Sequence, residues 1–331
     1  MNLFWSTRSL TSNREDHLTE FFAAALELSP IFRARYAALL LGEYASRQGW
    51  PEPIIARVET QVSYPGASSQ PDLRLTLDDG HVILVEHKLE APETVERETG
   101  ERNQLQRYLA LPVDGVAYVC SSFRSLPDTV LADPRYIRPS NRDHFLWRDF
   151  YPLLDDQDRF LGWLKEGFER LGFTPPLPWL GEFAGPKRGP QSEEIRRNKR
   201  NFAKLWESTR QGARKLGWHR IEAGDIVELY LREGTSDLAA SVFVSPAKAE
   251  RFLIRVTPKP GRLGAVIKVM EEAARSAWVP TEVANRQVTR KGKVNVVDVT
   301  SSLHALLNRE EQPAEMERRL ADYVLHFLRR L

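Results

Sequence analysis

The sequence predicts a mixed α/β fold for the first half of the chain and a separate α+β domain for the second half. Before residue 172, helix-like and strand-like apolar patterns alternate in the order α-α-β-β-β-α-β, with one more helix after them. That order indicates a mixed sheet with helices on its faces. A segment with five prolines and three glycines, 173–191, then interrupts every regular pattern, so we interpret it as a linker.

The elements of the first half follow from apolar spacing. We expect helices at 13–27, 31–47, 95–111 and 158–171, and strands at 54–64, 73–77, 82–85 and 116–120. Asp78-Asp79-Gly80 separates the second and third strands and is a hairpin signal. The run 116–120 has no polar member and therefore predicts a strand covered on both faces, with Cys120 as an inert core thiol.

The second half predicts an α+β module. We expect helices at 193–216, 264–276 and 314–330, and strands at 226–231, 239–244, 252–256 and 294–299. The predicted organisation is a domain at 1–172, a linker at 173–191 and a domain at 192–331.

Composition narrows the class of protein. The chain has 331 residues, of which 42% are hydrophobic, and no apolar stretch reaches the roughly 20 residues of a membrane span. The first eleven residues lack the features of a secretion signal. Cys120 is the single cysteine, which excludes an intramolecular disulfide and a cysteine zinc site. We therefore expect a cytoplasmic protein without membrane contact.

Charge is divided unequally along the chain. Residues 1–186 carry 19 Lys and Arg against 27 Asp and Glu, a balance of −8, whereas residues 187–331 carry 28 against 18, a balance of +10. A segregated basic half favours a polyanionic partner, because neutralised phosphates drive nucleic-acid binding. DNA is the expected partner and RNA the alternative; a homodimer is compatible with the sequence.

The residues that suggest chemistry are Asp72, after Pro71, and the segment Glu86-His87-Lys88. Strand alternation puts Glu86 and Lys88 on one face and His87 on the other. A three-residue turn with a left-handed Gly80 would make paired residue numbers sum to 158 and set Asp72 opposite Glu86, with Cβ atoms roughly 5 Å apart. A two-residue turn would instead pair Asp72 with His87 and turn its side chain away.

Two facing carboxylates favour a cation between them, because like charges directly opposite are destabilising. Mg²⁺ prefers such oxygen ligands, and with them it can activate water for phosphodiester hydrolysis. Lys88 adds a positive charge that can orient the water or stabilise charge on the phosphate.

In these residues and their spacing, the sequence resembles the PD-(D/E)XK nuclease superfamily, which has the restriction-endonuclease-like fold. The resemblance covers residues 10–155 and implies an αβββαβ core, a Mg²⁺ or Mn²⁺ cofactor, and a deoxyribonuclease activity serving restriction, phage defence or repair. It implies that Asp72 and Glu86 are metal ligands and that Lys88 is the catalytic lysine.

Two further segments carry the resemblance. Gln104-Leu105-Gln106-Arg107-Tyr108 looks like a QLxxY helix motif, so Gln104 and Tyr108 are expected to lean toward the site. The segment 15–19 is similar to an acidic first helix. Helical angles put Glu15 at the border of the buried face and Glu20 away from it. Glu15 and Gln104 are therefore the further candidate catalytic residues. Glu15 also fits a capping box with Ser12, and its catalytic and capping roles both stay open.

The basic segment 187–220 has eleven Lys and Arg against three glutamates. It is either a nucleic-acid-binding helix or a solvated helix face. The candidate nucleic-acid contacts are Arg196, Arg197, Lys199, Arg200 and Lys204, together with Tyr108.

Several functions remain open, and others have no support. The hypothesis is a metal-dependent nuclease, either an endonuclease or an exonuclease. The alternatives are a regulatory protein that binds nucleic acid without cleaving it, and a nuclease whose second domain senses another ligand. The sequence has no Gly-rich phosphate loop ending in Lys-Ser/Thr, no GxSxG and no HExxH, so kinase, hydrolase-triad and zinc-protease functions are unsupported.

Overall fold

The chain forms two compact units, Met1–Pro175 and Pro176–Leu331, in a computed structural model. The structure describes residues 2–7, 13–64, 70–89, 104–124, 126–140, 142–155, 157–176, 192–223, 227–232, 238–244, 251–259, 261–290, 292–307 and 313–331. The boundary between the units falls inside the predicted linker, of which residues 177–191 lie outside the described ranges.

The first unit combines seven helices and six strands among its described residues. The helices are α1 (Leu3–Thr7), α2 (Arg14–Leu28), α3 (Pro30–Gln48), α4 (Gln104–Leu109), α5 (Asp128–Leu131), α6 (Trp147–Phe150) and α7 (Arg159–Leu171). The strands are β1 (Ile55–Thr60), β2 (Leu73–Leu77), β3 (Val82–Lys88), β4 (Gly115–Cys120), β5 (Tyr136–Ile137) and β6 (Phe145–Leu146). Most of the predicted helix 95–111 precedes α4 and lies outside the described residues.

The strands of the first unit form one mixed sheet in the order β1-β2-β3-β4-β5, with β6 also paired to β4. The pairs β1-β2 and β2-β3 are antiparallel, whereas β3-β4, β4-β5 and β4-β6 are parallel. The prediction of a mixed sheet with flanking helices is therefore confirmed. β5 and β6 were not predicted, because a two-residue strand is too short to show an alternating pattern.

Alternate side chains of the sheet enter two apolar clusters. Ile83 and Val85 pack with residues of α2, α3 and α7, whereas Leu84 packs with residues of α4. β4 is buried at all six positions, as its apolar sequence predicts. Successive residues of β3 therefore face different helices, and this determines which helix Glu86 and His87 each meet.

The hairpin between β2 and β3 has the three-residue turn. Leu73 lies opposite Val85 and Thr76 opposite Val82, so paired numbers sum to 158. Gly80 has φ +91°, a value that L side chains rarely adopt. The Leu77 amide donates to the His81 carbonyl at 2.9 Å and closes the turn. The register that sets Asp72 opposite Glu86 is thus confirmed.

The second unit has an antiparallel sheet in the order β11-β12-β10-β9-β8-β7. Its strands are β7 (Trp218–Ala223), β8 (Val227–Arg232), β9 (Leu238–Val244), β10 (Arg251–Pro258), β11 (Thr281–Arg290) and β12 (Gly292–Ser302). Its helices are α8 (Glu193–Ala203), α9 (Glu207–Lys215), α10 (Leu263–Arg275), α11 (Leu303–Leu306) and α12 (Pro313–Leu328).

Sequence and structure differ at four elements of this unit, one of which is the unpredicted helix α11. The helix expected at 193–216 is divided by a 3-10 turn over Lys204–Trp206. β7 and β11 were not predicted. Both are edge strands with many polar residues, and backbone pairing with one neighbour holds them without an apolar alternation.

Among the described residues, no helix combines the length and apolar character needed to cross a membrane.

Candidate active site

A pair of buried carboxylates lies where β2 begins and β3 ends. Asp72 directly precedes β2, and the register that pairs Leu73 with Val85, continued by one residue, sets Glu86 of β3 opposite Asp72. Asp72 is 8% exposed and Glu86 is 1% exposed. The backbone amide of His87 donates to Asp72 Oδ2 at 2.7 Å. The carboxyl group of Asp72 is therefore tied to the neighbouring strand.

Lys88 contributes the positive charge of the site. Its Nζ lies 2.6 Å from Glu86 Oε1 and 3.0 Å from Glu15 Oε1. Glu86 and Lys88 are two residues apart on one strand, so their side chains share a face, as predicted. The ammonium group thus lies between two carboxylates from different elements.

Glu15 belongs to this cluster, and Ser12, its expected partner in a capping box, lies outside the described residues. Glu15 lies in the first turn of α2, and its Oε2 accepts a hydrogen bond from the Leu89 amide at 2.7 Å. The N-cap is Asn13, whose side chain accepts from the Glu15 amide at 3.0 Å. Glu20 is exposed. The helical-angle argument for Glu15 over Glu20 agrees with this arrangement.

Gln104 and Tyr108 of α4 approach Glu86 from its own side of the sheet. The Tyr108 hydroxyl accepts from Gln104 Nε2 at 2.7 Å. Its oxygen lies 2.9 Å from Glu86 Oε2 and 2.8 Å from the Gln70 carbonyl oxygen, so its single proton is donated to one of them at a time. Tyr108 is fully buried. In this structure its ring presents no surface to a nucleic acid, unlike the expected direct contact.

His87 points to the opposite face, as strand alternation predicts. Its Nδ1 lies 2.9 Å from Thr19 Oγ1, and its ring lies 4.4 Å from that of Trp147. Burial lowers the pKa of His87 to about 3, with a smaller contribution from Lys88. The neutral imidazole thus joins α2 to β3 beneath the carboxylates.

Burial and charge shift the pKa values of the cluster. Burial, reinforced by the Glu86 carboxylate, raises the pKa of Asp72 to about 8, although Lys88 opposes this. Burial also raises the pKa of Glu86 despite Lys88. Burial lowers the pKa of Lys88, but the carboxylates led by Glu86 outweigh it and raise that pKa. Among the described residues, the cluster of Glu15, Asp72, Glu86 and Lys88 holds more acidic groups than the Lys88 ammonium can neutralise.

Asp72 and Glu86 therefore suit a small divalent cation. They supply oxygen ligands of like charge at facing positions, and burial makes the second negative charge costly without a further cation. The described residues include no group of three or more His, Cys, Asp and Glu that could hold a metal. Mg²⁺ needs only one or two carboxylates when waters and substrate phosphates complete its coordination.

Two residues of this site, Thr19 and Gln70, were not predicted from the sequence. Thr19 lies 68 positions before the His87 that it contacts, and Gln70 contributes only its backbone carbonyl. Helical spacing places Thr19 further from the apolar face of α2 than Glu15, so its burial was not indicated by the sequence. A backbone carbonyl carries no sequence signal.

The five basic candidate contacts lie in the second unit, in and just after α8. Arg196 Nη2 and Arg200 Nη2 lie 2.8 and 2.7 Å from carboxylate oxygens of Glu193. Arg197 is exposed, and Lys199 and Lys204 are half-buried. Part of the basic charge is therefore neutralised within the helix.

Comparisons of the chain with protein-family models, with curated proteins and with solved structures found no match.

Proposed function

We propose that the chain is a divalent-metal-dependent nuclease of the restriction-endonuclease-like type that hydrolyses phosphodiester bonds, with DNA as substrate. The observation that carries this proposal is the register of β2 and β3. It brings Asp72 opposite Glu86 with the Lys88 ammonium 2.6 Å from Glu86. Burying this much charge together is costly and favours no fold by itself, so a functional reason is the better explanation.

Each residue has a role in this proposal. Asp72 and Glu86 would hold Mg²⁺ or Mn²⁺, which when bound polarises a phosphate and makes bound water more acidic. The Lys88 ammonium orients the attacking water or stabilises negative charge on the phosphate. Glu15 positions Lys88 through the 3.0 Å contact, and Tyr108 with Gln104 holds the Glu86 carboxylate.

The direct test is cleavage of supercoiled and linear DNA by the purified chain with Mg²⁺, Mn²⁺ or EDTA. We expect metal-dependent cleavage that falls by about 100-fold or more in Asp72→Asn and Lys88→Met, because each change removes a charge from the reacting centre. Relaxed circles would indicate an endonuclease, and shortened linear ends an exonuclease.

The matched control is Asp79→Asn, which removes a carboxylate from the turn of the same hairpin. Asp79 contacts the amide and ring of His81 and lies outside the cluster. This variant should cleave like the wild type. If the folded wild type cleaves neither DNA nor RNA with either metal, the nuclease proposal is wrong. Binding without cleavage would then support the regulatory nucleic-acid-binding protein.

A further inference from the structure

A groove with an exposed tryptophan lies in the second unit, apart from the predicted basic helix. Its volume is about 460 Å³. It lies against one face of α12 and against Trp278, which follows α10. Its lining residues are Trp278, Arg318, Arg319, Asp322, His326 and Arg329.

The indole of Trp278 is unusually accessible. It is 48% exposed and is the only exposed Phe, Tyr or Trp among the side chains that the structure describes. The ring of Tyr323 meets it edge-on, with ring centroids 6.4 Å apart. A large apolar ring left this open in a folded unit favours a binding role.

An ordered guanidinium group accompanies the ring. The Cζ of Arg319 lies 4.4 Å from the ring centroid of Trp278. Arg319 Nε donates to the Leu306 carbonyl at 3.1 Å and Nη2 to the Ala305 carbonyl at 3.3 Å. These bonds hold the guanidinium over one face of the ring before any ligand arrives, so little side-chain freedom is lost on binding and a base would stack on the opposite face.

The groove is positively charged. It has three arginines against Asp322, and His326 is engaged with the Ala273 carbonyl at 2.9 Å. Arg318 lies 2.6 Å from Asp322 and also donates to Glu315 at 2.8 Å, so these three groups together carry one negative charge. Arg319 and Arg329 therefore supply the positive charge.

From this combination we infer that the Trp278 groove binds single-stranded nucleic acid, with a base stacked on the indole and backbone phosphate against the arginines. An aromatic face with cations beside it matches the base and the phosphate of one nucleotide. A duplex keeps its bases stacked inside the helix and could use only the charges. An acidic peptide would likewise gain little from the indole. This binding goes beyond the proposed function, because it does not depend on cleavage.

The test is fluorescence anisotropy with a labelled oligodeoxythymidylate of about 15 nucleotides, near the upper end of site sizes for single-strand-binding modules. The full chain is used in EDTA, where a metal-dependent activity is silent. Trp278→Ala should weaken binding about tenfold or more, whereas Trp278→Phe should keep most of the affinity. Arg329→Ala should reduce the salt slope of log affinity by about 0.7, the loss of one phosphate contact.

Trp163→Ala is the matched control. Trp163 lies on α7 of the first unit and also has an arginine beside its ring, with Arg159 Cζ at 5.0 Å from the centroid. This variant should bind like the wild type. Melting curves check that Trp278→Ala is folded, and Trp278→Phe and Arg329→Ala test the groove if it is not.

Three results would overturn the inference. The first is wild-type affinity in folded Trp278→Ala, above all if Arg197→Ala on α8 weakens binding instead. The second is no binding of the oligonucleotide by the wild type. The third is equal, Trp278-dependent binding of an oligoglutamate, which would indicate an acidic protein partner. None of these results bears on cleavage, so the nuclease proposal is tested separately.

Discussion

Two fully buried tyrosines of the first unit differ in whether their hydroxyl groups have partners. Tyr108 has Gln104, Glu86 and Gln70 within hydrogen-bond distance. The Tyr36 hydroxyl is buried and has no hydrogen-bond partner among the described residues. Burial raises the pKa of both tyrosines, so both hydroxyls remain protonated. The hydroxyl of Tyr108 supports the carboxylate pair, whereas that of Tyr36 is a cost to folding.

We predict opposite outcomes for the same chemical change at these two positions. Tyr108→Phe should lower the free energy of unfolding by about 1.5 kcal/mol, because a buried carboxylate loses a donor. Tyr36→Phe should be neutral or stabilising, because it removes an unsatisfied buried group. Urea unfolding of the two variants beside the wild type measures both. Equal destabilisation would mean that the contacts of Tyr108 contribute nothing.

At the scale of elements, the β2-β3 hairpin sets the geometry of the site. Gly80 provides the backbone conformation of the turn, with φ +91° and no atom within 4 Å of the place that a Cβ would take. Gly42, inside α3, also has open space around that place but has helical backbone. Because neither position would be crowded by a Cβ, the two glycines differ only in backbone conformation, and comparing them tests the effect of positive φ alone.

Alanine at these two glycines should act in opposite directions. Gly80→Ala should destabilise the chain by about 1 kcal/mol, since alanine disfavours positive φ. Gly42→Ala should stabilise it by about 0.8 kcal/mol, the difference between the two residues in helix propensity. Thermal and urea unfolding measure both changes. Stabilisation by Gly80→Ala would contradict the three-residue turn.

A buried ion network joins α9 to β8 in the second unit. Arg210 Nη2 lies 2.6 Å from Glu228 Oε1, and its Nη1 lies 2.8 Å from Glu207 Oε1. Glu228 is completely buried. Burial raises the pKa of Glu228, although Arg210 opposes the increase. The arginine therefore offsets the cost of two buried carboxylates.

Arg210→Met should destabilise the second unit by roughly 3 to 5 kcal/mol, because it leaves buried charges without their counter-charge. A carboxyl group whose pKa is raised by folding stabilises the fold at low pH, and this contribution is lost as the pH rises. The loss in free energy of unfolding caused by Arg210→Met should therefore be smaller at about pH 5 than at about pH 8.

The control for this change is Arg196→Met on α8. Arg196 pairs with Glu193 at 2.8 Å, but both side chains are exposed, and such surface pairs contribute little. In denaturant unfolding at the two pH values, this variant should have the same free energy of unfolding as the wild type. If the loss in free energy of unfolding in Arg210→Met grew toward low pH, Glu228 would not be the buried carboxylate whose charge Arg210 offsets.

At the scale of the whole molecule, each unit has its own apolar core. One cluster contains Trp206, Phe252 and Val299 of the second unit, and the first unit has separate clusters on the two faces of its sheet. Domains with independent cores commonly unfold as separate cooperative units. The division of charge along the sequence follows the same boundary.

Calorimetry should therefore resolve two unfolding transitions in the full chain. Tyr108→Phe should lower the midpoint of one, and Arg210→Met should lower the midpoint of the other, because their contacts lie in different units. A single transition shifted by both variants would mean that the units unfold as one.

Local rules were enough to predict part of the site. Strand alternation predicted that Lys88 shares the face of Glu86 and that His87 does not. The sequence allowed two turns, and the structure has the three-residue turn for which Asp72 was expected to face Glu86. Each of these depends on neighbours within one hairpin, where the turn type determines the register. The apolar run at 116–120 likewise predicted a fully buried strand.

The tertiary structure decided what depends on residues far apart in the chain. Glu15 meets Lys88 and Leu89 across more than 70 positions, so its choice between capping a helix and pairing with lysine needed the packing of α2. The burial of Tyr108 and the pairing of the edge strands β7 and β11 likewise needed the finished sheets. Sequence periodicity records which face of an element is apolar, but only packing brings two distant polar groups within hydrogen-bond distance.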